Sequence, residues 1–141
     1  MSSKWSRTRF IGTIILVLFG MSLVGGYTWL KYGPENNVRM WLDKKTVQRD
    51  EPVKLYIRNL GSKSIGFGTP YYIYRIHENG TTTCMNSDWV WAAVGIRLMP
   101  FGTYSKKIKT DFDPGDYYVE KNYHIEQNNV QYKRRMYFTI E

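Results

Sequence analysis

Asp113-Pro114-Gly115-Asp116-Tyr117-Tyr118-Val119 (DPGDYYV) is the stretch on which the reading of the fold turns. Its first three residues make a turn, because Pro presets φ and Gly accepts backbone angles closed to other residues. Its last three open a strand over residues 117–125, rich in aromatic and β-branched side chains. Downstream, Gln127-Asn128-Asn129 connects to a strand at 130–140, closing a hairpin. Upstream, residues 96–99 and 104–108 read as strands, and Asn79-Gly80 is a strong hairpin signal leading into 81–85. Residues 65–68 and 71–77 read as one strand interrupted by Gly68-Thr69-Pro70. Pro cannot donate to a ladder, so the interruption is an edge, bulge or kink. Residues 53–58 alternate, with Val53, Leu55 and Ile57 inward and Lys54, Tyr56 and Arg58 outward. Residues 38–43 place Val38, Met40 and Leu42 on one face. Residues 86–95 fit neither period.

Seven or eight short strands over about 105 residues, with no helical period, predict an all-β sandwich. DPGDYYV narrows this to an immunoglobulin-like Greek key, in which Asp-x-Gly-x-Tyr-x-hydrophobic forms a tyrosine corner. There Tyr117 bonds back to the upstream backbone, with Asp113 and Gly115 shaping the turn. Antibody domains place a bridging Cys two residues after that Tyr. Here the position is Val119, and its counterpart on 53–58 is an aliphatic such as Leu55. The single cysteine, Cys84, excludes an intramolecular disulfide. The domain therefore relies on its apolar core, supplied in large part by 12 Tyr, 6 Phe and 5 Trp. Cys84 itself reads as a small buried hydrophobe.

Residues 10–30, FIGTIILVLFGMSLVGGYTWL, carry no charge over 21 positions. A helix of that length spans roughly 30 Å, the hydrocarbon thickness of a bilayer. Lys4, Arg7 and Arg9 precede it, so the positive-inside bias holds the N-terminus in the cytoplasm. The expected organisation is a cytoplasmic basic tail at 1–9, a transmembrane signal anchor at 10–30, a linker at 31–37 and an extracytoplasmic domain at 38–141. A cleaved secretory signal is the alternative, with Val24 and Gly26 as small residues before a cut at Tyr27. Retention is favoured by the length of the run and by Tyr27 and Trp29 at its outer end. Of the net charge of +8, half falls in residues 1–31, where four cations meet no acid. Basicity that serves topology does not argue for nucleic acid, which is not an expected partner.

The pieces VKLYIRNLGSKSIGFGTPYYIYRIHENG, LMPFGTYSKKI, FDPGDYYVEKNY and YFTIE together resemble the bacterial and archaeal immunoglobulin-like domains of cell-surface proteins and lipoproteins. The resemblance spans about residues 38–141. There are two departures. Family members usually place a Trp soon after the hairpin Gly, whereas Thr81-Thr82-Thr83-Cys84 follows here and the nearest is Trp89. The turn Pro100-Phe101-Gly102 is also one residue longer than the family's Pro-Gly. The resemblance implies a fold and no activity, because the family has no shared catalytic residues to carry over.

The residues themselves point away from chemistry. His77, His124 and Cys84 lack the short spacings of zinc sites and read as solvent-facing imidazoles and a packed thiol. No acidic loop suggests calcium, and no motif frames a nucleophile. Neither a catalytic residue, a metal nor a cofactor is expected. Asn79-Gly80-Thr81 is a glycosylation acceptor, although a hairpin turn explains Asn79 and Gly80 without it. Lys106, Lys107 and Lys109, and Lys133, Arg134 and Arg135, are basic runs on strands. Alternation splits each between two faces, either as solvated edge charge or as a cationic surface toward lipid headgroups or an acidic wall polymer. Tyr71, Tyr72, Tyr74, Trp89, Trp91, Phe101 and Tyr104 exceed what one sheet face can bury. The stretch 89–94 is the expected exposed apolar patch. The candidate interaction surface is thus Trp89, Trp91, Phe101, Lys106, Lys107 and Lys109. The expected role is a non-catalytic, membrane-anchored accessory subunit of a surface or membrane assembly. A module binding cell-wall or surface polysaccharide is the alternative.

Overall fold

The structure is a computed structural model that describes residues 3–128 and 130–141, with side chains from Ile11 onward. Met1, Ser2, Asn129 of the expected 127–129 connection, and the side chains of Lys4, Arg7 and Arg9 lie outside the described residues.

Strand β3 (Val53–Asn59) shows how alternation becomes a core. Val53, Leu55, Ile57 and Asn59 are buried, while Lys54, Tyr56 and Arg58 point away. It lies between β1 (Val38–Leu42) and β8 (Thr103–Ile108), antiparallel to both, in a three-stranded sheet. The facing sheet is organised on β9 (Gly115–Ile125) and β10 (Gln131–Ile140), paired antiparallel over the whole length of β10. Strands β4 (Ile65–Gly68) and β5 (Tyr72–Ile76) lie end to end along the other side of β9, β4 beside His124 and Ile125 and β5 beside Asp116 to Glu120. A short β7 (Gly95–Leu98) pairs with β4, β6 (Thr82–Cys84) pairs with β5, and β2 (Thr46–Val47) runs parallel to the end of β10. The result is an immunoglobulin-like sandwich of ten strands in two sheets.

Ten strands replace the expected seven or eight for two physical reasons. Strand β2 is a two-residue bridge, too short to carry a period. Pro70 divides the strand read at 65–77, because its missing N–H breaks the ladder between β4 and β5. Lys121 fills that break. It shares the inward parity of Val119 and Tyr123, is 3% exposed, and its ammonium donates to the carbonyls of Gly68 and Pro70, the latter at 2.6 Å. The same ammonium sits 5.2 Å from the Phe67 ring centroid. Desolvation, with Lys106 a lesser cause, pulls its pKa down to about 8.

The sheets close on Leu55, Ile57, Ile65, Ile73, Ile108, Val119, Ile125 and Ile140, all at or below 1% exposure. The Tyr117 hydroxyl, on a fully buried ring, donates to the Asp113 carbonyl at 2.6 Å. His124 is half-buried rather than solvent-facing. It lies across Gly66, where a Cβ would come within 2.5 Å of the imidazole. Cys84 is likewise half-buried, 3.7 Å from the Asn86 amide oxygen.

Helix α1 (Ser3–Tyr32) precedes the sandwich, and its segment Ile11–Tyr32 is long and apolar enough to cross a membrane. Its Ser22 and Thr28 hydroxyls donate to Leu18 and Val24 carbonyls one turn back, leaving neither unsatisfied in an apolar setting. The residues after it are docked on the domain. Ser62 takes the Gly33 and Pro34 carbonyls through its hydroxyl and amide, at 2.8 and 2.9 Å. The Leu60 amide donates to Asn37 and the Tyr123 hydroxyl to the Asn36 side chain, both at 2.7 Å. Gly61 permits this approach, since a Cβ there would lie 2.4 Å from the Glu35 carbonyl oxygen.

Candidate interaction surface

β9 has two parities, and both are covered. Tyr117, Val119 and Tyr123 face the opposite sheet, whereas Tyr118 and Glu120 point to the outer face, yet are only 6% and 5% exposed. Their cover comes from neighbouring strands, in two rows fixed by register. One row crosses β6, β5, β9 and β10 as Cys84, Tyr74, Tyr118 and Tyr137. The next holds Tyr72, Glu120 and Arg135.

Within these rows Tyr74 stacks on Tyr118 at 4.9 Å with planes 16° apart, and Tyr137 approaches Tyr118 at 5.6 Å. The Arg135 guanidinium lies 5.0 Å from the Tyr118 centroid. Its Nε donates to one Glu120 oxygen at 3.0 Å while Lys133 Nζ takes the other at 3.0 Å. Each carboxylate oxygen of Glu120 thus has its own cation, which is what makes burial of that charge tolerable. The Glu120 hydrogen bond in turn holds Arg135 above its ordinary pKa, and burial pushes the Tyr74 hydroxyl up. Tyr137, at 59% exposed, and Tyr72 form the accessible rim. Rigid aromatic rings around an oriented guanidinium are the side chains that dominate binding energy at protein interfaces.

The sequence-based surface is distributed differently. Trp89 and Trp91 do not form the exposed patch expected at 89–94, because their rings turn onto the core. Tyr71 lies 6.3 and 4.8 Å from them, and Phe112 stacks on Trp89 at 6.4 Å. Val90, Ala92, Ala93 and Val94 are the exposed apolar members. The loop is fastened by buried Asn86, whose amide oxygen accepts from the Ile73 N–H and whose amide nitrogen donates to the Tyr71 carbonyl. Thr69 ties it again through the Ala92 carbonyl at 2.6 Å. Burial pushes the Tyr71 hydroxyl up, with the Lys109 backbone acting the other way.

Lys106 faces inward across from Leu55 and is half-buried; Lys107 is exposed beside Lys54, and Lys109 is exposed beyond the strand. Phe101 is 54% exposed at the opposite end of β8 from Lys109, so the six residues do not share one surface. Lys133 and Arg135 are engaged with Glu120, and Arg134 points to the other face. Asn79 is exposed at the tip of the β5–β6 connection, its amide oxygen accepting from both the Thr81 amide and hydroxyl. It borders an open cavity of about 670 Å³ with Arg75, His77 and Asp116. Among the described residues no group of three or more His, Cys, Asp or Glu is placed to hold a metal ion.

Tyr118, Glu120 and Tyr137 were not singled out from the sequence, and Arg135 entered only as part of the basic run 133–135. Their shared parity across the 117–125 and 130–140 hairpin was a usable signal. The pairing of β5 against β9, which brings Tyr72 and Tyr74 alongside, was not.

The match to a family model agrees with this architecture. The model of the bacterial Ig-like domain family matches residues 34–135, and the chain belongs to that family. A solved structure described as Northeast Structural Genomics Consortium target SoR45 is 17% identical, with 73% of this chain and 81% of that chain covered and a TM-score of 0.42. No curated protein matches the chain significantly.

Proposed function

We propose that this bacterial Ig-like domain is a membrane-anchored, extracytoplasmic interaction module, a non-catalytic accessory subunit that engages a protein partner in the same membrane or cell surface. The apolar helix suits either an anchor or a signal sequence. Two observations support the anchor: α1 continues unbroken through Val24 to Tyr27, and the segment after it is docked on the domain. The Lys4, Arg7 and Arg9 flank supports a cytoplasmic N-terminus.

The observation that carries the interaction reading is the tyrosine–arginine face on β5, β9 and β10. Those strands run away from the helix end of the domain, which suits engagement by a neighbour in the same membrane. The test is co-purification of the tagged full chain in mild detergent, beside Tyr137→Ala and Arg135→Ala variants. A stoichiometric membrane protein retained by the parent chain and lost from both variants supports the reading. Retention that ignores both substitutions refutes this face. The polysaccharide reading has the exposed Tyr137 ring beside Arg135 in its favour, since sugars stack on such rings. Elution by free saccharide would select it.

A further inference from the structure

The docked linker fixes which end of the sandwich faces the helix. Asn37 bonds to Leu60, so the start of β1, the end of β3, the β7–β8 turn and the β9–β10 turn all lie at that pole. Three large apolar side chains are exposed there: Met99 at 56%, Phe101 at 54% and Val130 at 48%. Phe101 is also held at φ 66°, an uncommon angle for a bulky residue. The clamp is the Asn59 backbone, whose carbonyl accepts from the Phe101 amide at 2.7 Å and whose amide donates to Gly102 at 3.0 Å. A strained turn that spends its extra residue on an outward aromatic ring has a use for that ring.

The charge beside it is one-signed. Arg39 and Arg58 sit directly opposite each other on β1 and β3, an arrangement that costs stability. With Arg134 they line an open groove of about 600 Å³ floored by Val38, Met40 and Leu60. None of the three arginines has an ion pair among the described residues. Of the acids at this pole, Glu126 is taken by Arg97 and Glu35 lies in the linker.

We propose that this pole is a lipid-contact surface: Phe101 and Met99 enter the headgroup–acyl boundary of the bilayer that α1 spans, and Arg39, Arg58 and Arg134 take phosphates of anionic phospholipid. The proposal rests on the anchored reading. It follows from continuity with the helix, from large apolar side chains exposed at the end of the domain nearest it, and from three arginines without an ion pair beside them. The domain is then seated on the membrane as well as tethered to it.

The experiment uses the full chain carrying Cys84→Ser and an environment-sensitive fluorophore on Met99→Cys, Val130→Cys or, as the far-pole control, Asn79→Cys. Each is reconstituted into phosphatidylcholine vesicles with or without phosphatidylglycerol and with doxyl-labelled lipid. The expected result is blue-shifted, lipid-quenched emission at positions 99 and 130 and water-like emission at 79. Adding Phe101→Ser, or Arg39→Gln with Arg58→Gln, should reduce the quenching, the latter only where phosphatidylglycerol is present and less at high salt. Water-like emission at both near-pole positions, in chains that float with the vesicles, overturns the proposal and leaves the anchor standing. Chains that fail to float overturn the anchor, and the proposal with it.

Discussion

Lys121→Met isolates the cost of holding an ammonium inside the sandwich. The side chain is 3% exposed, and its pKa falls from 10.5 in water to about 8, with desolvation the largest cause. A base bound more weakly by the folded state than by the unfolded one destabilises the fold at low pH. The penalty is fully present below pH 8 and is relieved as pH rises toward 10.5, because there only the unfolded chain still holds the proton. The shift corresponds to roughly 3 kcal/mol at its limit, of which about 2 kcal/mol should be recovered between about pH 7 and pH 9.5. Against this, Met gives up the donors to Gly68 and Pro70, each worth about 1.5–3 kcal/mol when charged. The two effects nearly cancel at neutral pH, so the absolute stability of the variant decides little. Its pH slope decides. Urea denaturation of the full chain in detergent should show the parent gaining about 2 kcal/mol on the variant over that interval. Buried Tyr71, Tyr117 and Tyr123 and half-buried Tyr104 act oppositely. Burial raises their pKa values, so their contribution is present below the unfolded value near pH 10 and lost as pH rises through the folded ones. They are common to both chains and cancel in the difference. Parallel pH profiles would refute a charged, desolvated Lys121.

Asn86→Ala strands the Ile73 N–H and the Tyr71 carbonyl, and should cost about 2–4 kcal/mol in urea denaturation. The emission of Trp89 and Trp91 should shift to the red as their loop loosens. Gly61→Ala places a methyl 2.4 Å from the Glu35 carbonyl oxygen, which is backbone and cannot swing away. Detachment of the linker should cost about 1–3 kcal/mol and speed hydrogen exchange at the Leu60 and Ser62 amides, while amides on β9 stay protected.

What could be read in advance follows from period and polarity. Alternation in 53–58 gave β3, and DPGDYYV gave both a turn and the parity of β9, because a strand with one face on a core has no freedom to shift register. The charge-free run gave the helix for an equally local reason. Residues 86–95 resisted reading because their conformation is imposed by Asn86 and by the surface of Tyr71, neither of which has a period. The interaction face was hidden in another way. Tyr118 and Glu120 are ordinary outward positions until β5 and β10 bring Tyr74, Arg135 and Tyr137 over them; β10 is the near arm of the hairpin, but the pairing of β5 with β9 joins residues more than forty positions apart. Lys121 stood between: its parity with Val119 and Tyr123 placed it inward, but the carbonyls that satisfy it appear only once Pro70 has split the strand.

The docked linker also bears on how strong the interaction face has to be. Tyr72, Tyr137 and Arg135 are the accessible members of that face, a small set beside the roughly 800 Å² per partner of a stable complex. In free solution so small a contact leaves little surplus after the cost of association. Confinement changes that balance, since a partner in the same membrane meets the face at a high effective concentration, provided the geometry lets both engage. A floppy tether would spread that concentration over many orientations. The bonds from Ser62, Leu60 and Tyr123 to residues 33–37 narrow them, because they fasten the segment after the helix to the domain. On the proposed function the linker contacts and the tyrosine face would work as one device, the first limiting the orientations from which the second has to find its partner.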